Sequence, residues 1–122
     1  MWTYTAYILY KYCRDIKNTQ CEVLTFKELT ELFFDKLWQK RGIVLHDSKQ
    51  DLYADLQYLE QLGVIEINGD VKNIDTIIIK VKDVEKLKQI ADIVEKTYTV
   101  TGIGLFNVYK SRIDEALKAL KS

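Results

Sequence analysis

The sequence contains no proline, one histidine and only two cysteines among its 122 residues. Two cysteines do not make a disulfide framework, and a single histidine offers too few soft ligands for a metal site. The formal net charge is zero, with 18 basic and 18 acidic side chains. This balance excludes a strongly basic protein that coats DNA, and it excludes an acidic disordered tail. We therefore expect neither a metal nor a cofactor.

Long apolar runs are also missing. No stretch approaches the roughly 18 residues of a membrane span, and the N-terminus lacks the positive region of a signal peptide. A cytoplasmic protein without a membrane partner is the expectation. Cys13 and Cys21 are predicted to be free thiols; the alternative is a bridge between them, mainly in a hyperthermophile. The 15 lysines and 13 isoleucines hint at such a source.

Apolar residues recur at every third or fourth position along most of the chain, which predicts five helices. They are expected over residues 3–17, 26–41, 48–62, 83–97 and 105–121. Thr25 is the expected N-cap of the second helix, with Glu28 completing a capping box, and Asp47 or Ser48 is expected to cap the third.

Two strands are predicted between the third and fourth helices, at 64–67 and 74–81, joined at the Asn68-Gly69 turn signal. The helices and this hairpin define an α+β, mostly helical fold. Residues 1–81 would form its main part, and residues 82–122 a helical extension of the same compact domain.

The most specific segment is DLYADLQYLEQLGVIEI, residues 51–67. Its leucines at Leu52, Leu56, Leu59 and Leu62 are followed at once by Gly63 and an apolar strand. This run resembles the third helix and first wing strand of winged helix-turn-helix domains, and the element order over about residues 3–81 is similar to theirs. The two C-terminal helices look like the dimerisation helices of small regulators of the MarR and PadR sort.

The resemblance implies that the third helix enters the major groove of double-stranded DNA while the hairpin touches the backbone. On a helical wheel, the outward arc of the third helix carries no acidic residue, and Asp55 lies beside the core stripe, where Lys40 or Arg41 could pair with it. Five residues are expected to face bases: Gln50, Tyr53, Ala54, Gln57 and Gln61. Four are expected to meet phosphates: Ser48, Lys49, Lys72 and Asn73.

The first helix carries more apolar surface than one small core needs, and such surplus usually marks an interface. A homodimer is therefore predicted, built from the first helix and the C-terminal helices. Its expected interface residues are Tyr4, Tyr7, Ile8, Phe106, Tyr109, Ile113 and Leu120. The alternative is that the C-terminal helices fold back onto their own chain.

The favoured function is a dimeric transcriptional regulator that binds DNA. A winged-helix module that binds protein is the alternative, because the third helix is flanked by acidic residues. A third reading is a regulator with a ligand pocket among the aromatic residues of the first and C-terminal helices. An enzyme is not expected: His46 precedes a helix cap, and Thr101-Gly102-Ile103-Gly104 lacks the GK[ST] ending of a phosphate-binding loop.

Overall fold

A computed structural model describes residues 2–16, 23–100 and 104–121, with side chains for 2–16, 23–96 and 110–120. Helix α1 spans Trp2–Lys11 and continues as a π-helical segment over Tyr12–Ile16. Helix α2 spans Phe26–Thr30 and continues as a π-helix over Glu31–Gln39. The other helices are α3 (Lys49–Gln61), α4 (Val84–Val100) and α5 (Gly104–Lys121).

Three short strands form one antiparallel sheet in the order β1-β3-β2. They are β1 (Leu24–Thr25), β2 (Ile65–Asn68) and β3 (Ile78–Val81). The predicted hairpin is β2 paired with β3, with Ile67 opposite Ile79. Its second strand begins later than expected, because a 3-10 turn occupies Ile74–Thr76. Strand β1 pairs with β3 on its other side and adds a third strand to the predicted hairpin.

The predicted N-cap contacts of Thr25 and Ser48 form, and the Glu28 carboxylate accepts a hydrogen bond from the Tyr12 hydroxyl at 2.8 Å. The Thr25 side chain accepts a hydrogen bond from the Glu28 amide at 3.0 Å, and the Ser48 hydroxyl accepts one from the Asp51 amide at 3.3 Å. These contacts satisfy amides that have no partner inside their own helix. After α3, Gly63 adopts a φ of +79°, a left-handed conformation that glycine adopts without steric cost.

Two basic side chains from the C-terminal helices donate hydrogen bonds to carbonyls at the C-terminal ends of α3 and α2. Lys86 at the start of α4 donates to the Leu62 carbonyl, just beyond α3. Arg112 of α5 donates to the Arg41 carbonyl, beyond α2. Cations suit the negative end of a helix, so each contact satisfies a carbonyl and complements the helix dipole.

The core gathers around α1, which packs chiefly against α4 and also against α3. This arrangement corrects the predicted dimer interface. Tyr4, Tyr7, Ile8 and Ile113 are at most 1% exposed within a single chain, so none of them offers surface to a second copy. Leu120 is half-buried against the same core. The side chains of Phe106 and Tyr109 lie outside the described residues. The alternative prediction, that the C-terminal helices fold back, accounts for the apolar surplus of α1.

A polar network ties the C-terminal helices to the buried face of α1. The Tyr7 hydroxyl donates to Asp114 of α5 at 2.6 Å, and Lys110 binds the same carboxylate at 2.8 Å. Lys110 also lies 3.5 Å from Glu95 of α4, and Lys11 lies 3.7 Å from it. Burial, followed by the hydrogen bond to Asp114, raises the pKa of Tyr7 far above its usual value, so the hydroxyl stays a donor.

The expectation of two free thiols is wrong for Cys13. This cysteine is disulfide-bonded and buried at the end of α1. The chain has one other cysteine, Cys21, which lies outside the described residues. The sequence could not decide this point, because a disulfide requires a specific distance and orientation of the two cysteines, which local patterns do not give.

Candidate nucleic-acid interface

Helix α3 presents the outward face that the helical wheel predicted. Leu52, Leu56 and Leu59 are fully buried, which fixes the rotation of the helix about its own axis. The opposite side therefore faces solvent. The exposed residues of the helix are Lys49, Gln50, Asp51, Ala54, Gln57, Tyr58, Glu60 and Gln61, and of these Gln50, Ala54, Gln57 and Gln61 lie opposite the leucines. The three glutamine amides carry donors and acceptors that can pair with base edges.

Tyr53 does not stand free on this face. It is half-buried, and its ring meets Phe26 edge-on, with the centroids 6.3 Å apart. The aromatic surface therefore fixes α3 against the first residue of α2. Ser48 is likewise half-buried as the N-cap of α3. Tyr53 and Ser48 therefore help to position α3, and each side chain is only partly accessible to a DNA partner.

The acidic residues of α3 are engaged at its edges. Asp51 accepts the Asp47 amide at 3.2 Å in the first turn, where the positive end of the helix favours a carboxylate. Glu60, near the other end, accepts the Ile67 amide of β2 at 2.7 Å. Asp55 turns inward. The exposed glutamine face consequently carries no carboxylate, although carboxylates border it.

Asp55 belongs to a buried trio of polar side chains that joins α1, α3 and the loop between α2 and α3. His46 Nε2 lies 2.8 Å from Asp55 Oδ2 and 3.0 Å from Thr5 Oγ1. The Thr5 hydroxyl donates to the same Asp55 oxygen at 2.9 Å. The expected pairing of Asp55 with Lys40 or Arg41 is wrong, because the loop after α2 returns along that helix and brings His46 to the carboxylate.

The hydrogen bonds of the trio assign the proton of the imidazole. Asp55 as a carboxylate only accepts, and Thr5 uses its hydrogen toward Asp55, so Nε2 must carry a hydrogen. Burial raises the pKa of Asp55, but the hydrogen bonds from His46 and Thr5 outweigh it and hold that pKa below its ordinary value. The His46 ring also packs edge-on against Phe33 of α2 at 5.0 Å. One imidazole thus contacts all three helices of the N-terminal part.

A hydroxyl, an imidazole and a carboxylate together invite comparison with a catalytic triad, but the connectivity differs. In a triad the carboxylate binds one ring nitrogen and the nucleophile the other. Here both Thr5 and Asp55 contact Nε2. Thr5 is also 0% exposed, so no substrate reaches its hydroxyl. The trio fixes the position of α3.

The hairpin and the start of α3 do not form a positive stripe. Lys49, predicted to meet phosphate, lies 3.3 Å from Asp75 of the hairpin loop. Lys82 lies 3.7 Å from Glu66 across the sheet. Lys72 and Asn73 are exposed, but Asp70 is exposed between β2 and Lys72 and accepts the Lys72 amide at 2.9 Å. The charges alternate in sign, and their attraction for a polyanion is weak.

Sequence reasoning missed the role of His46 and the position of Asp75. His46 was expected only to precede the cap of the third helix, because its distant partners Thr5 and Asp55 are not visible in local spacing. Asp75 was placed in a strand, whereas the 3-10 turn brings it beside Lys49. Trp2 and Tyr58 form a third unpredicted contact, with ring centroids 4.8 Å apart, and Tyr58 remains 42% exposed.

The third reading, a ligand pocket lined by aromatic residues, gains no support from the depression between α1 and α5. That depression has a volume of about 350 Å³. Its lining is mostly charged: Lys11, Asp15, Asp114, Leu117 and Lys118. Among the described residues there is no cluster of His, Cys, Asp or Glu suited to a metal ion, and no helix is long and apolar enough to cross a membrane.

Comparison with known proteins gives no relative. No protein-family model, curated protein or solved structure matches this chain.

Proposed function

We propose that this protein is a winged helix-turn-helix module that binds double-stranded DNA, with α3 as the reading helix. The order α1-β1-α2-α3-β2-β3 and the sheet order β1-β3-β2 support the assignment of the fold. The single observation that carries the function is the exposed amide face of α3, formed by Gln50, Gln57 and Gln61, with the exposed carboxylates of Asp51 and Glu60 at its borders.

In this proposal Gln50, Gln57 and Gln61 contact base edges in the major groove. A glutamine amide can pair with the N6 and N7 positions of adenine, and the Ala54 methyl can meet a thymine methyl. The buried trio fixes α3, so these side chains approach the groove from a rigid element. Lys49 and Lys72 supply the charged phosphate contacts, together with Ser48 and Asn73, which predicts a shallow salt dependence with a log–log slope of about −2.

The test is fluorescence anisotropy with a labelled random duplex at two salt concentrations, followed by selection of preferred sequences. Gln57→Ala should relax the sequence preference, whereas Lys49→Ala should weaken binding to all sequences alike. Gln89→Ala is the matched control, because this exposed glutamine lies on α4. If Gln57→Ala and Gln89→Ala leave the same preference as the unsubstituted protein, α3 does not read bases.

A second candidate is a winged-helix module that binds a protein. The observation that favours it is the alternation of charge around α3, where Lys49 already pairs with Asp75. A DNA-binding face usually leaves such cations free for phosphate. Absence of duplex binding even at low salt would favour this candidate over the first.

A homodimer remains part of the proposal, because a two-fold dimer would present two copies of α3 to successive major grooves. The buried positions Tyr4, Tyr7, Ile8 and Ile113 are not its surface. Sedimentation of the free protein and of its complex with a palindromic duplex measures the stoichiometry.

A further inference from the structure

Among the described residues, strand β2 is an outer strand of the sheet, and its outer edge carries backbone groups that another strand could bind. The register shows which groups these are. The amides of Lys82 and Asp83 both donate to the Val64 carbonyl. The backbone N–H and C=O groups of the even-numbered residues of β2 therefore point toward β3. Hydrogen bonding alternates along an antiparallel strand, so the backbone of Ile65 and Ile67 faces outward.

The side chain of Glu60 occupies this outward edge. Its Oε2 accepts the Ile67 amide at 2.7 Å, reaching from the last turns of α3 across the turn at Gly63. A charged acceptor makes a stronger hydrogen bond than a neutral carbonyl. The carboxylate thus takes the place that the carbonyl of a neighbouring strand would take.

We infer that Glu60, together with Glu66, keeps β2 from pairing edge to edge with β2 of a second copy of this chain. Two-fold antiparallel pairing would place Ile65 opposite Ile67 of the second copy, with Glu66 at the centre. Glu66 would then face Glu66 of the second copy in a non-hydrogen-bonded pair, where side chains are closest and like charges repel, and Lys82, 3.7 Å away in the same chain, offsets only part of that repulsion. The Glu60 carboxylate occupies the Ile67 amide, and the Glu66 carboxylate disfavours this pairing register by charge repulsion.

Glu60 and Glu66 protect the outer edge of β2 whether or not α3 binds DNA. This role also gives a reason for a carboxylate at position 60, next to a face proposed to approach phosphates.

The experiment compares Glu60→Ala, Glu66→Ala and the double variant by analytical ultracentrifugation over a range of concentrations. A second double variant, Glu85→Ala/Glu115→Ala, makes the same charge change at two exposed sites on α4 and α5. We expect the dissociation constant for self-association of the Glu60→Ala/Glu66→Ala variant to be about tenfold lower than that of the unsubstituted protein. The control pair should sediment like the unsubstituted protein.

Amide hydrogen exchange at Ile67 measures the contact itself. Glu60→Ala should remove protection of this amide in dilute monomer, while Glu60→Gln retains an acceptor oxygen and should keep most of it. The inference is wrong if the β2 double variant and the control pair sediment identically at the highest concentration. It is also wrong if Ile67 exchanges at the same rate with and without the Glu60 carboxylate.

Discussion

Replacing Asp55 by asparagine tests the buried trio most directly. The carboxylate accepts two hydrogen bonds, from His46 and Thr5, and its side chain is only 18% exposed. Hydrogen bonds to a charged group contribute about 1.5–3 kcal/mol each, and the two share one oxygen, so we expect a loss of about 3 kcal/mol rather than the full sum. For a domain of this size that loss lowers Tm by about 12 °C.

The assay is urea unfolding at pH 7, with thermal unfolding as the second measurement. Asp35→Asn is the control, since Asp35 lies exposed on α2 and its replacement should change stability by less than about 0.5 kcal/mol. A Thr5→Val variant and the double variant complete a cycle, in which a coupling energy between Thr5 and Asp55 should appear.

The pH dependence follows from the lowered pKa of Asp55. A carboxyl with a folded pKa below its unfolded value contributes stability that is fully present above the unfolded pKa, about 3.9, and is lost as pH falls through the folded pKa. The difference between the unsubstituted protein and Asp55→Asn should therefore be constant above about pH 5 and shrink below about pH 4. The reasoning is refuted if Asp55→Asn and Asp35→Asn unfold at the same urea concentration at pH 7.

Three further changes test the rest of the fold. Tyr7→Phe removes the hydroxyl that binds Asp114 and should lower the free energy of unfolding by about 1–2 kcal/mol; an unchanged value would mean that the network does not hold α5. Gly63→Ala should cost about 1 kcal/mol from its positive φ alone, and Gly69→Ala more, since a Cβ there lies 3.1 Å from the Ile77 Cα; urea midpoints in the reverse order would contradict this. Cys13→Ser should lower stability by about 2–3 kcal/mol, and a reductant should then have no further effect on the variant's unfolding.

The helices and the hairpin could be predicted because their signals are local. The leucines of α3 repeat with the helical period, and Thr25 and Ser48 satisfy amides only three positions away. Asn68-Gly69 marks the turn after β2, where Gly69 takes a φ of +131°. The outward face of α3 followed from the same period, since the buried leucines determine which residues remain exposed.

The contacts that determine position within the fold were not predictable, because they join distant residues. Thr5 and His46 are 41 positions apart, and Tyr7 and Asp114 are 107 apart. Opposite charge alone favoured Lys40 or Arg41 for Asp55, but the route of the loop after α2 decided the partner. The apolar surplus of α1 was assigned to a second copy for a similar reason, because no local pattern shows that α4 covers it.

The side chains that bind the carbonyls at the ends of α2 and α3 come from parts of the chain that are synthesised later. The Leu62 carbonyl is bound by Lys86, 24 positions later in the sequence, and the Arg41 carbonyl is bound by Arg112, 71 positions later. Before α4 is synthesised, the Leu62 carbonyl at the end of α3 lacks its Lys86 partner, and the face of α1 that packs against α4 is uncovered. These contacts of α2, α3 and α1 therefore form only after the segments that supply them have left the exit tunnel. Helix α3, proposed to recognise DNA, is thus completed by a side chain that follows the hairpin in the sequence.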